Sequence, residues 1–438
     1  MIALLLIFGF MFYLPTLFYG YVVDDVNPAN DPKTEKLWWK QAYLEFRSFN
    51  YYNSKRAHLI SLLLHLTVCF LIYKVFGSLI VSALFLVNPI NYQGGLWLSG
   101  KYYTIAGIGA LLTMLFPLSY LALIPISAFA LLPVPFVFLM KQPTLWAMLP
   151  FIAFFLYWRK AISVKWDSKD AVSQEMRSFS FKKFIPYFKT FGYYTILSII
   201  PFQLGMYHSF IYGVGISGEY NEKAYKADRF FFGGLALFAI ISYIIIQNWG
   251  NPLGFGLFWW VACISQWCNF VTCQQTISER YIYTANIGLS LAVGSLISNY
   301  PLAITALLVY YITRNLSYRK AYIDDARILD SNILEIDDAH YAWMLRGLKA
   351  FKGNEFWSAY RFLSSAKFLS PKDFKVNFNL AQIKIFLKQY DGVEDEISLA
   401  DKNRLSNVDD EQINRIKTML EQSKNGQPTK TKDIVFCM

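Results

Sequence analysis

Apolar residues dominate the first three quarters of the chain and come in long runs broken by short polar stops. A helix needs about 20 apolar residues to cross a bilayer. Runs approaching that length lie near 1–21, 57–75, 77–90, 102–117, 119–139, 144–158, 187–206, 230–248, 252–273, 281–298 and 300–314. The pattern predicts an all-α chain with about eleven membrane spans over residues 1–315. After 315 the pattern changes to short amphipathic helices, expected over 316–421. The polar stretch 422–438, with Gly and Pro, is expected to be mobile.

Composition agrees with that division. Hydrophobic residues make up 55% of the 438, charged residues 16% and aromatics 18%. A soluble domain usually carries about 25% charged residues, so a soluble enzyme and a disordered chain are both excluded. The net charge of +11 is uneven: up to Thr313 there are 12 acids and 21 bases, and from Arg314 onward 18 acids and 20 bases. No compact basic stripe of the kind that binds nucleic acid is present. The loop 159–189 holds eight Lys/Arg against three acids, which the positive-inside rule makes cytoplasmic. Counting crossings from it puts the N-terminus inside, and the loop 22–56, the segment near 91–101, the loop 207–229 and the C-terminal region outside. The five cysteines fit no zinc spacing and read as packing residues.

The unusual polar residues gather on that outer face. Asp24 and Asp25 follow the first span directly; they are either a solvated loop start before the Asn27-Pro28 turn or a functional pair, serving as general base or holding a divalent cation beside a phosphate. Lys55, Arg56 and His58 open the second span, as interfacial anchors or as a site for a lipid phosphate. The stretch from Asn88 through Gln93 and Trp97 to Lys101 is rich in Gly, Pro and Asn, which predicts irregular or re-entrant backbone lining protein or a water-filled cavity. Lys141 is another isolated cation. Glu279 and Arg280, followed by Tyr281 and Tyr283, read as an interfacial anchor or as a phosphate clamp oriented by its own Glu.

Between His340 and Phe374 the sequence resembles one tetratricopeptide repeat (TPR): Trp343, Gly347, Ala359, Ala366 and Pro371 fall at the offsets of the 34-residue pattern. A weaker copy runs 374–407. Such repeats carry no chemistry, and Trp343, Gly347, Ala359 and Pro371 mark the surface expected to receive a protein partner.

Taken in order, these blocks resemble the transmembrane, TPR-containing O-mannosyltransferases of the GT-C superfamily. Asp24-Asp25 looks like that family's first-loop double aspartate. Ala57-His58 through His65 is similar to its H-L-x-N-x-L-L-H helix. Asn88-Pro89 through Gly100-Lys101 resembles its H-P-x-x-x-E-x-x-x-W-I-x-G-R segment, Lys141-Gln142-Pro143 its K-E step, and Glu279 through Tyr283 its E-R-x-L-Y-L-P-S segment. Asn88, Gln93, Lys101 and Gln142 replace the family's His, Glu, Arg and Glu. The resemblance implies an inverting glycosyltransferase that moves one sugar from a polyprenyl-phosphate carrier to a hydroxyl of a protein or an envelope glycan. Asp24 or Asp25 would be the base, and Arg280, Lys101, Lys55, Arg56 and Lys141 the phosphate-binding cations. His58, Glu279, Tyr281, Tyr283, Asn88, Gln93 and Trp97 would support them, and a Mg or Mn ion is the candidate cofactor. It further implies a bacterial inner-membrane protein with a periplasmic site and C-terminal domain, or the ER equivalent. A polysaccharide polymerase or flippase and a non-enzymatic membrane scaffold are the competing classes.

Overall fold

The computed structural model describes residues 1–19, 54–116, 181–206, 208, 225–265, 267–268, 277–335, 340–403 and 408–436. Among the described residues the chain is entirely helical, with sixteen α-helices and no strand. They form two compact units. One takes the described residues up to Arg327, apart from a few near 205–208, and the other takes Ile328 onward. Helix α10 (Pro301–Tyr318) runs unbroken through position 315, the boundary expected from sequence.

The first unit is built from α1 (Ile2–Tyr13), α2 (Ser54–Phe76), α3 (Leu79–Val87), α4 (Asn91–Gly95), α5 (Lys101–Leu115), α6 (Phe184–Ile199), α7 (Arg229–Gln247), α8 (Pro252–Ser265), α9 (Ile282–Ile297) and α10. Helix α2 ends where Gly77 takes a positive φ of 67°, a conformation open to glycine at little cost. Ser78 then caps α3 by accepting from the Val81 N–H. Asp228 caps α7: its Oδ1 accepts from the N–H groups of Phe230 at 3.0 Å and Phe231 at 3.2 Å.

Two of these helices, α2 and α7, are long and apolar enough to cross a membrane, and Ile2–Phe18, Tyr103–Leu115 and Pro252–Ser265 are shorter apolar helices. At 1.5 Å per residue α2 extends about 34 Å, enough for a hydrocarbon core of about 30 Å. Only 17% of the apolar stretch of α7 is buried; Phe232, Ile240, Tyr243 and Ile246 lie exposed along it. Buried apolar side chains define a core helix in water, so this outward face suits an apolar solvent. The helices also approach closely through glycine. A Cβ on Gly234 would stand 1.8 Å from the Phe188 carbonyl oxygen, and one on Gly256 would stand 2.5 Å from that of Gly288, the small-residue contact common between membrane helices.

The expected eleven crossings need correction. The run 77–90 becomes α3, nine residues and about 14 Å long, half of a bilayer core. Asn88-Pro89 ends it and leads into the short α4. The runs 119–139 and 144–158 lie outside the described residues. The expected sidedness fails as well. Lys189, assigned with the basic loop to one face, bonds at 2.8 Å to Asp228, which opens α7 on the other. Both groups lie at one end of the bundle.

That end is defined by contacts. Helices α8 and α9 run antiparallel: Trp259 Nε1 donates to the Thr284 carbonyl at 2.8 Å, and Trp267, just beyond α8, stacks on Tyr281, just before α9, at 4.1 Å. Phe76 and Phe255 meet at the opposite end, 6.2 Å apart. The C-termini of α1, α3 and α10 join the first end. Tyr13 donates to the Leu86 carbonyl at 2.7 Å, and Asn315 donates to Tyr13 Oη at 2.8 Å and to the Val87 carbonyl at 3.2 Å. Arg314 and Arg319 hold helix ends. Arg314 donates to the carbonyls of Pro201 and Phe202, just past α6, and Arg319 donates to that of Phe12, where cations suit the negative end of the helix dipole.

The second unit holds the last turns of α11 (Asp325–Glu335) with α12 (His340–Lys352), α13 (Phe356–Leu369), α14 (Phe374–Phe386), α15 (Val393–Lys402) and α16 (Val408–Lys424). Its core is an ordinary apolar one, including Met344, Leu363, Val376, Ile383, Ile397 and Ile416. Two sequence expectations change here. Gly347 and Ala359 are buried and face the interior: a Cβ on Gly347 would meet Leu363 Cγ at 2.9 Å and the Ala359 carbonyl at 3.2 Å. They let α12 and α13 approach and offer nothing to a partner, whereas Trp343 is half-buried against Phe362 and Pro371 is exposed. The segment after 422 is held: Val435 exchanges two hydrogen bonds with the Gln382 side chain, and Phe436 packs on Phe351. The apolar triplet Ile434-Val435-Phe436 explains that anchoring.

Candidate functional site

The bundle end described above gathers an unusual density of buried polar groups. Its centre is the irregular stretch from Asn88 to Lys101. Asn88 accepts from the Ile90 N–H at 3.2 Å, an Asx turn that reverses the chain after α3. Thr104 Oγ1 donates to the Gly94 carbonyl at 2.7 Å and ties the stretch to α5. Its glycines are required by proximity. A Cβ on Gly94 would fall 2.4 Å from Tyr283 Cβ, one on Gly95 2.8 Å from His65 Nδ1, and one on Gly100 1.9 Å from the Gln93 carbonyl oxygen.

Gln93 and Glu279 are fully buried there. Gln93 Nε2 donates to Tyr318 Oη at 3.0 Å, and Tyr318 donates to Glu279 Oε2 at 2.5 Å. Tyr322 Oη lies 2.8 Å from Tyr318 Oη, and Ser278 Oγ donates to Gln93 Oε1 at 3.4 Å. Tyr194 Oη accepts from the Ser278 N–H at 3.0 Å. A buried carboxylate is tolerated only when its oxygens are hydrogen-bonded or paired; the Tyr318 bond answers that demand for Oε2.

Arg280 follows Glu279, half-buried, with its guanidinium 5.3 Å from the Trp97 ring centre and 5.4 Å from that of Tyr281. Stacking of this kind holds the fork in a fixed plane. Tyr283 is buried and shares a 2.8 Å hydrogen bond with His65 Nδ1. His65 Nε2 faces the Leu86 carbonyl at 3.4 Å. A carbonyl only accepts, so Nε2 carries the proton and Nδ1 accepts from Tyr283.

The structure therefore brings Gln93, Trp97, Glu279, Arg280, Tyr281 and Tyr283 into one cluster. Lys101 is buried as the first residue of α5. Asn88 bonds to its local backbone. Lys55 and Arg56 are exposed at the start of α2, with Lys55 5.2 Å from the Phe18 ring centre. His58 is buried edge-on to Tyr19. Asp24, Asp25 and Lys141 lie outside the described residues, and among those described no group of three metal-ligating side chains occurs.

Sequence reasoning missed Tyr318, Tyr322, Asn315, Ser278 and Tyr194. A signal existed for three of them: Asn315, Tyr318 and Tyr322 recur at i, i+3 and i+7, one polar stripe on the last helix and the turn after it. A second polar pair is also buried, Asn286 Nδ2 donating to Asn91 Oδ1 at 2.8 Å.

Compared with known proteins, the chain matches no protein-family model, no curated protein and no solved structure.

Proposed function

We propose that this chain is an integral membrane glycosyltransferase of GT-C type. It transfers one sugar from a polyprenyl-phosphate carrier to a hydroxyl of a protein or envelope glycan at the bundle end that holds this cluster. One observation carries the reading: three of the sequence blocks that resemble the family, separated by up to about 200 residues, converge at one bundle end and are held by buried hydrogen bonds. Arg280 and Lys101 bind the donor phosphate there, the guanidinium being positioned by the rings of Trp97 and Tyr281. Asp24 or Asp25, both of which follow α1 in the sequence, takes the acceptor proton. The acceptor oxygen bonds to the anomeric carbon as the carbon–phosphate oxygen bond breaks, with inversion. The cations stabilise the charge developing on the leaving phosphate. A Mg or Mn ion bound by the Asp pair would serve the same end.

Arg280→Ala should weaken binding of a polyprenyl-phosphate sugar by tenfold or more, roughly the worth of one charge-assisted contact. Asp25→Asn or Asp24→Asn should lower transfer by a factor of roughly 10²–10⁴ with donor binding retained. Full transfer by both aspartate variants, or donor affinity unchanged in Arg280→Ala, would remove the assignment.

A further inference from the structure

Helix α13 breaks the rule that a helix packed in water turns a polar face outward. Its buried stripe is Ala359, Leu363 and Ala366. Directly opposite that stripe, at about 100° per residue, lie Trp357, Arg361, Ser364 and Phe368. Trp357 is 56% exposed and Phe368 85%. The two rings stand about 16 Å apart along the helix, on the line where charged side chains belong. Tyr360 packs edge-on against Trp357, with ring centres 6.1 Å apart, and braces it from one side.

The cations of the unit gather around the same line. From Lys349 to Lys375 six Lys or Arg stand against two acids, Glu355 and Asp373. Asp373 is buried, caps α14 and faces His340, and Lys367 is paired with Glu396. Lys352 just before the stripe, Arg361 within it and Lys372 just after it are all exposed, with Glu355 as the exposed acid among them. Elsewhere in the unit the balance reverses: α15 opens on Glu394, Asp395 and Glu396.

Exposed rings set among cations suit one kind of surface. Trp and Phe settle at the apolar boundary of a bilayer, while Lys and Arg extend to anionic head groups. The same chain carries two helices long and apolar enough to cross a membrane, and it runs from that unit into the second between Arg327 and Ile328. A bilayer that holds α2 and α7 is therefore tethered to α13, and tethering raises its effective concentration.

We propose that the outer face of α13 rests on an anionic bilayer. Trp357 and Phe368 enter the apolar boundary, and Lys352, Arg361 and Lys372 meet the head-group phosphates. This uses the membrane setting of the chain and not sugar transfer.

The test places the full chain in nanodiscs of phosphatidylcholine, alone or mixed with phosphatidylglycerol. The photo-crosslinker p-benzoylphenylalanine stands in place of Trp357, of Phe368 or, as a control on α15, of the exposed Lys402. Irradiation should give lipid adducts, weighed by mass spectrometry, at positions 357 and 368 and not at 402, several-fold more in the anionic discs. Arg361→Glu and Lys372→Glu change exposed side chains and should leave folding untouched. Each should cut the adducts at 368 about fivefold in anionic discs, the worth of one cation at a charged membrane surface. No lipid adduct, adducts to a second protein chain in place of lipid, adducts at 402 as abundant as at 368, or yields indifferent to phosphatidylglycerol and to both charge reversals would each overturn the proposal. Arg280, Asp24 and Asp25 are unaltered in these variants, so this reading and that of the transferase can each fail alone.

Discussion

The two units solve opposite problems with the same element. The first turns apolar side chains outward, as α7 does with Phe232, Ile240 and Ile246, and keeps Gln93, Glu279, Asn91 and Asn286 inside. The second packs an apolar core of Met344, Leu363, Val376 and Ile416, and two of its ion pairs, Lys424 with Glu394 and Lys417 with Asp401, face water. Water rewards burial of apolar area. Lipid offers no such gain, so helices there associate through glycine contacts and interhelical hydrogen bonds. The Gly192–Gly234 and Gly256–Gly288 approaches and the Gln93–Tyr318–Glu279 chain are contacts of that kind.

This contrast is open to attack by substitution. The largest effect should come from Leu363→Ala in the second unit, where a fully buried side chain meets Gly347; roughly 2–5 kcal/mol of stability should be lost, read from chemical denaturation of the full chain. A loss below about 1 kcal/mol would mean that this core is not packed as described. Ile240→Lys changes a side chain that is already 55% exposed. In water it would be nearly neutral, but near the centre of a lipid-facing helix it should cost about 2.5–3.5 kcal/mol. Membrane insertion assayed for that one helix separates the two, and an unchanged yield would make α7 a water-exposed helix.

Tyr318→Phe keeps the ring and removes the hydroxyl between Gln93 and Glu279. It should cost roughly 1–3 kcal/mol because two buried polar groups lose their partner, visible as a lower thermal midpoint in detergent. The same midpoint in variant and parent would show the network to be dispensable.

The smallest effect should be that of Asp228→Ala, about 1 kcal/mol from the lost helix cap. Burial raises the Asp228 carboxyl, but the Lys189 ammonium and the N–H groups of Phe231 and Phe230 outweigh it and hold the group below its ordinary value. A carboxyl lowered on folding stabilises above its unfolded value and loses that contribution as pH falls through the folded one. The difference in midpoint between parent and variant should therefore be full at neutral pH and shrink only on the acid side of the ordinary carboxylate range. A difference independent of pH would show that the charge plays no part.

Much of the fold was legible from the chain. The 23-residue run of α2 ends at a glycine, as the rule for helix ends asks, and the repeat offsets at Gly347, Ala359 and Ala366 found the tightest contact of the second unit. Hydropathy misread α3, because a run of apolar residues does not reveal whether it crosses a bilayer or stops halfway at Asn88-Pro89. Charge counting misread Lys189, which Asp228 engages inside the protein. The candidate site was half legible. Glu279, Arg280, Gln93 and Trp97 stood out as polar residues amid apolar runs. Tyr318 and Tyr322 looked like two more of the many tyrosines at the end of an apolar helix.

The sequence by itself determined that the chain is helical, that its two parts differ in composition, and which polar residues are out of place among apolar ones. Those are properties of composition and period, and they follow from local preference and the burial of backbone polar groups. Only the tertiary structure decided which of those residues meet. Gln93 and Tyr318 are 225 positions apart, and no local rule links them. Their meeting depends on glycines that let Tyr283 close on the stretch from Gly94 to Gly95, and on a buried Glu279 that must find donors wherever the packed helices bring them.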